Sequence, residues 1–95
     1  MLRYKAGYKF VEGQVHGQVV DFPAVTTCAS DLAEARALLA AALLDVAQTR
    51  LELGQSLPAP DPKAGDPEMD IEEPIYLHLS ASSEVTQTPA GEVAS

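Results

Sequence analysis

The sequence predicts an α+β fold in which a mostly antiparallel sheet carries one long helix on one face, in the order βββαβ. Apolar and polar side chains alternate at residues 2–11 and again at residues 18–22, which is typical of half-buried strands, and residues 25–29 are rich in β-branched side chains. An uninterrupted stretch rich in Ala and Leu follows at residues 32–53, and alternation returns after Pro74. These observations predict a two-layer domain at residues 1–80 and a flexible tail at residues 81–95.

The first two strands are predicted to form a hairpin. Residues 2–11 make the first strand, residues 12–17 the turn, and residues 18–22 the second strand. One side of the first strand is apolar and consists of Tyr4, Ala6, Tyr8 and Phe10. Pro23 cannot donate to a ladder, so a short third strand is expected after it, at residues 25–29. Because only 5% of the residues are aromatic, the core is expected to be aliphatic.

The helix carries start and stop signals. Asp31 is placed as the N-cap with Glu34 three positions later, so that each side chain can accept from a free backbone donor. No Gly or Pro interrupts residues 32–53, and Gly54 followed by Pro58 is typical of a helix end. At 100° per residue, the predicted sheet-facing stripe contains Leu32, Ala35, Leu39, Leu43, Val46 and Leu53.

A second apolar strip lies on one flank of this helix. Its candidate protein-interface residues are Leu44, Leu51 and Ala40. The alternative is that this flank is the edge of a deeply seated helix, and the sequence leaves both interpretations open. Arg36 and Arg50 also fall near the apolar side, where their long stems are expected to carry the charges to water.

The segment between the helix and the last strand is predicted to be an extended connection. Residues 54–74 contain most of the seven prolines, together with Gly, Asp and Glu. The connection is long enough to bring a last strand, at residues 75–80, back beside the sheet. The acidic run from Asp70 to Glu73 is interpreted as a solvated part of the connection rather than as a metal site.

The charge balance excludes several classes of function. Six Lys and Arg residues against fourteen Asp and Glu residues give a formal net charge of −8, which repels a phosphate backbone. We therefore expect a basic protein as partner and no direct binding of nucleic acid. The longest apolar run, residues 37–44, is too short to cross a membrane. A single cysteine and the lack of a secretory signal favour a cytoplasmic location.

No pattern in the chain predicts catalysis. His16 and His78 have no motif around them and are expected at the surface or at an edge. Cys28 lies just before the helix, where an activated thiol is one interpretation and a small core residue the favoured one. Asp21, Asp31 and Glu34 could form a carboxylate cluster for a metal-assisted nuclease, but Asp31 and Glu34 already have a role as the helix cap. Neither enzyme activity nor a metal or cofactor site is expected.

Short motifs on both sides of the helix resemble the HicB-type antitoxin domain. The predicted hairpin ends in Phe22-Pro23, and the matching residues at the helix start are Asp31, Leu32, Glu34 and Ala35. The matching residues at the helix exit are Gly54, Pro58 and Pro60. With the last strand included, the resemblance covers about four fifths of the chain.

This resemblance implies a partial ribonuclease-H-like fold without the catalytic carboxylates of that enzyme. It also implies a function, which is to neutralise a small basic toxin that cleaves messenger RNA by covering the toxin's active surface. Members of the family that repress their own promoter add a DNA-binding module after the last strand. Residues 81–95 show no helical period, so such a module is not expected here.

Two other classes of function stay open. A stand-alone homo-oligomeric structural or regulatory domain is favoured by the wide apolar arc through Leu44 and Leu51. A chain of 95 residues also has a limited core, which favours an oligomer or a complex. A neighbouring reading frame for a small basic protein would distinguish the antitoxin from this class. The third class is a minor enzyme or a protein that binds a ligand between sheet and helix. A thermal-shift screen would detect such a ligand by the stabilisation that it causes.

Overall fold

The sheet is antiparallel throughout and carries one helix on one of its faces. The computed structural model describes residues 2–78 and the backbone of residues 84–86. The elements in chain order are β1 (Leu2–Val11), β2 (Gln14–Val19), β3 (Thr26–Ala29), α1 (Leu32–Glu52), β4 (Ile71–His78) and β5 (Glu84–Thr86). The strand order is β3-β2-β1-β4-β5. The predicted α+β class and the order βββαβ are confirmed over residues 2–78.

The hairpin is tighter than predicted, because β2 begins at Gln14 rather than at residue 18. Val11 pairs with Gln14, which leaves Glu12 and Gly13 as a two-residue turn with φ values of 49° and 81°. Two positive φ values in succession give the type I′ turn whose twist matches that of the strands. The predicted turn at residues 12–17 was therefore wrong.

The core lies between α1 and the inner face of the sheet. α1 contributes Ala35, Leu39, Leu43 and Ala47, which are four residues apart and all fully buried. Two members of the predicted stripe, Leu32 and Val46, are partly buried at its margin. Leu53 is 68% exposed, because the helix ends at Glu52. Phe10 is 50% exposed near the hairpin end of β1.

Three aromatic side chains occupy the core that the sequence analysis expected to be aliphatic. Tyr4, Tyr8 and Phe22 are all fully buried. The rings of Tyr4 and Phe22 meet at 5.5 Å, and the guanidinium of Arg50 lies 4.9 Å from the centre of the Phe22 ring. The Tyr4 hydroxyl donates to the carbonyl oxygen of Pro58 at 2.7 Å. The contacts of Phe22 and Pro58 thus stabilise the junction of β1 with the helix exit.

The helix start confirms the predicted cap. The Asp31 side chain accepts from the backbone N–H of Glu34 at 2.7 Å. The Glu34 carboxylate accepts in return from the N–H of Ser30 at 3.2 Å, one residue before the expected donor. At the other end Gly54 has a φ of 74°, the left-handed conformation that commonly closes a helix.

The connection after α1 crosses the outer face of the sheet, which is the face away from the helix. The Lys5 ammonium donates to the carbonyl oxygen of Ala64. Met69 packs over Gly7 so closely that a Cβ at Gly7 would lie 2.7 Å from Met69 Cγ. The predicted extended connection is therefore held against β1.

β4 begins at Ile71 rather than at residue 75 and runs through Pro74. Pro74 lies opposite Lys5, whose N–H donates to Asp21 and whose carbonyl accepts from Val20, both on the β2 side. The pair is therefore a non-hydrogen-bonded one, in which the missing N–H of proline costs no ladder bond.

β5 (Glu84–Thr86) pairs with Tyr76–His78 at the edge of the sheet. The sequence analysis predicted no strand in the tail at residues 81–95. The rest of that tail and the predicted strand residues 79–80 lie outside the described residues. Within the described part of the chain, no helix combines the length and the apolar character needed to cross a bilayer.

Candidate functional site

The solvent-exposed side of α1 combines acidic and apolar side chains. Glu34, Leu38, Asp45 and Glu52 are all exposed, and 43% of Leu38 is accessible. Glu34 lies one turn before Leu38, and Asp45 lies two turns after it, so the residues follow one line along the helix. We call these four residues the acidic helix face.

The basic residues of α1 point away from this face and toward the body of the domain. Arg36 donates through Nε and Nη2 to the two carboxylate oxygens of Glu73, at 2.8 and 3.0 Å. This hydrogen bonding raises the pKa of the Arg36 guanidinium. Arg50 covers the ring of Phe22. Both arginines thus contact groups of the domain. Because 43% of the Arg36 side chain stays exposed, its charge also reaches water, as expected from the sequence.

The predicted interface residues differ in how far they are exposed. Ala40 and Leu44 are half-buried and pack against the core, as expected of the edge of a seated helix. Leu51 is 47% exposed near the end of α1. Leu38 was not singled out, although at 100° per residue it lies about 40° from Glu34 and about 20° from Asp45, outside the sheet-facing stripe.

Shallow grooves lie on the outer face of the described part of the sheet. The first, of about 400 Å³, lies beside the connection. It is lined by Arg3, Tyr4, Lys5, Asp21, Pro60, Asp61, Pro62, Glu72, Glu73 and Pro74. Because bases and acids alternate around it, this groove has no single sign of charge to select a ligand.

The second groove, of about 500 Å³, lies over β2 and β3 and includes Cys28, His16 and Met69. Cys28 is exposed, so its predicted place as a small core residue was wrong. His16 is the direct cross-strand partner of Cys28, and the Cys28 thiol donates to Oε1 of Gln14 at 3.4 Å. The location of His16 on a strand surface agrees with the expectation of a surface residue.

Acidic side chains beside the connection, or within it, accept from backbone donors. Asp21 accepts from the N–H groups of Lys5 and Asp61 at 2.9 and 3.0 Å. Asp70 accepts from Phe10 at 2.8 Å, and Glu72 accepts from Asp66 at 2.9 Å. β4 begins at Ile71, so Glu72 and Glu73 are strand residues rather than part of a solvated loop, whereas Asp70 is the exposed residue before the strand. Within residues 2–78, no three His, Cys, Asp or Glu side chains are grouped as metal ligands.

No family model, curated protein or solved structure matches the chain. The resemblance to the HicB type therefore remains a prediction from short motifs. Of the surfaces described above, the acidic helix face alone combines one sign of charge with an exposed large apolar side chain. It is the candidate site for a partner.

Proposed function

We propose that this domain acts by binding another protein and that this partner is basic. The observation that carries the proposal is the distribution of charge on α1. Its two arginines contact Glu73 and Phe22. Asp45 and Glu52 lie on the exposed side together with Glu34, whose carboxylate also accepts from Ser30 in the helix cap. The overall charge of −8 adds a long-range attraction for a basic protein.

A finer proposal is an antitoxin that acts in the cytoplasm on a small basic ribonuclease toxin. The HicB-like motifs and the negative charge support it. The test is to express each small basic reading frame adjacent to this gene, alone and together with the domain. We expect one frame to arrest growth and the domain to restore it. If no neighbouring frame arrests growth, the antitoxin proposal fails, whereas binding of a different basic protein would still stand.

The second candidate function is a homo-oligomeric structural or regulatory domain. Leu51 and Leu53 are 47% and 68% exposed at the end of α1, and such side chains are common where two copies meet. Sedimentation of the purified full chain measures its mass in solution. A dimer that becomes a monomer in the L51D/L53D variant supports this candidate, whereas a monomeric parent chain at high concentration rejects it.

A further inference from the structure

We infer that the partner docks on the acidic helix face through a segment in which Lys or Arg residues flank an apolar side chain. This inference rests on the proposed function and assigns its surface. The chemistry follows from the order of groups along α1, which presents Glu34, then Leu38, then Asp45 and Glu52. A complementary segment must carry positive charge on both sides of its apolar contact.

The dimensions of the face set the size of that segment. Glu34 and Glu52 are 18 positions apart on one helix, which corresponds to about 27 Å at 1.5 Å per residue. A partner helix of about five turns matches this length. Leu38 lies about 6 Å from the Glu34 end. The apolar contact is therefore expected near one end of the segment, with the basic residues continuing toward the other.

Small residues beside Leu38 allow close approach. Ala37 and Ala41 are both exposed and border Leu38 on the same side of the helix. Side chains of this size leave the helix backbone accessible to a second helix at the short end of the usual interaxial range of 8–10 Å. Leu38 can then insert between side chains of the partner while the carboxylates contact its rim.

The position of the helix arginines explains why a basic segment is preferred to a second copy of this chain. Arg36 is bound to Glu73 and Arg50 lies on Phe22, so two copies meeting through this face would bring carboxylates against carboxylates. Like charges placed opposite one another disfavour that arrangement. A basic segment opposite this face replaces that repulsion between the two chains with attraction.

The test is site-specific photocrosslinking of the full chain in its own cells. A photoreactive phenylalanine analogue is placed at Ala41 on the acidic helix face or, as the control, at Thr26 on the outer face. Both positions are exposed, so the fold tolerates the probe.

We expect an adduct from position 41 with a basic protein, mapped to a peptide in which Lys or Arg flanks an apolar residue. The D45K/E52K variant should lower its yield at least about fivefold, because the contact is electrostatic. E12K/E68K is the matched charge control and should leave the yield unchanged.

Each other outcome overturns the inference in a different way. Adducts from position 26 with a basic protein, and none from position 41, reject this surface but retain the proposed function. An adduct between two copies of the chain at position 41 rejects the basic occupant. Unchanged yield in D45K/E52K rejects the role of the acids. If neither position gives an adduct, both the inference and the proposed function fail.

Discussion

The Tyr4 hydroxyl donates to the carbonyl oxygen of Pro58 at 2.7 Å and so joins the first strand to the segment that leaves the helix. The Tyr4→Phe variant keeps the buried ring and removes only this bond. We expect a loss of about 1 kcal/mol in the free energy of unfolding, the usual contribution of one such bond. Urea unfolding followed by circular dichroism measures it. Tyr76→Phe, on the outer side of β4, is the control, and an equal loss there would contradict the role assigned to Tyr4.

The same hydroxyl predicts a change in stability at high pH. Burial raises the pKa of Tyr4 above its ordinary value of 10.0, and the charge of Asp21 raises it further. The unfolded chain therefore loses this proton first as the pH rises. The contribution of Tyr4 is fully present below pH 10 and is lost as the pH increases through the raised pKa of the folded state. Stability should decline above pH 10, and the decline should be smaller in Tyr4→Phe. Parallel profiles for the two proteins would exclude this account.

The ion pair between Arg36 and Glu73 predicts a measurable coupling between α1 and β4. A double-mutant cycle with Arg36→Gln and Glu73→Gln isolates it. We expect about 0.5–1 kcal/mol that decreases with added salt, because the geometry is bidentate but partly exposed. Lys9 and Glu68, at 4.0 Å and more exposed, provide the matched cycle. Their coupling should be near zero, and a value equal to that of the first pair would show that bidentate geometry contributes nothing.

Two neighbouring leucines of α1 differ in burial and should therefore differ in their contribution to stability. Leu39 is fully buried, whereas Leu38 is 43% exposed. Leu39→Ala should destabilise the domain by about 2–5 kcal/mol through the cavity that it leaves. Leu38→Ala should change the free energy of unfolding by less than about 0.5 kcal/mol. Thermal unfolding of both variants tests the prediction, which is refuted if the two substitutions cost the same.

The sequence predicted the helix well because its signals are local. Asp31, Glu34 and Gly54 define the ends through contacts with near neighbours, and an Ala and Leu composition favours the helix between them. β1 was predicted with its observed bounds for the same reason, since its alternation is unbroken.

The hairpin and the last strand are present as predicted, but the bounds of the turn and the start of β4 were wrong, because tertiary contacts decide them. Gly17 breaks the apolar alternation of β2, yet it faces the core because the Tyr8 ring fills the space that a side chain would occupy. Atoms of that ring lie 3.2 Å from the point where a Cβ at residue 17 would stand. Glu73 and Pro74 have the composition of a loop. In the structure, Arg36 neutralises the charge of Glu73. Pro74 is tolerated because its register with β1 requires no hydrogen bond from it. Arg36 and β1 are both far from Glu73 and Pro74 in the sequence.

The candidate surface could be predicted only in part. The acidic charge and the wide apolar arc were visible in the sequence. Which leucines stay exposed depends on how the helix is rotated over the sheet, and that rotation buries Ala40 and Leu44 at the core margin while leaving Leu38 outside. The engagement of Arg36 and Arg50 depends on residues that are distant in the chain.

The location of β1 between β2 and β4 has a consequence during synthesis. Until residues 71–78 leave the ribosome, one whole side of a ten-residue strand has no partner and is open to pairing with other chains. The ladder that closes this side joins positions about seventy apart, so it forms late and makes folding slow for a domain of this size. A chain shortened before β4 should therefore aggregate, even though it contains the complete helix and hairpin.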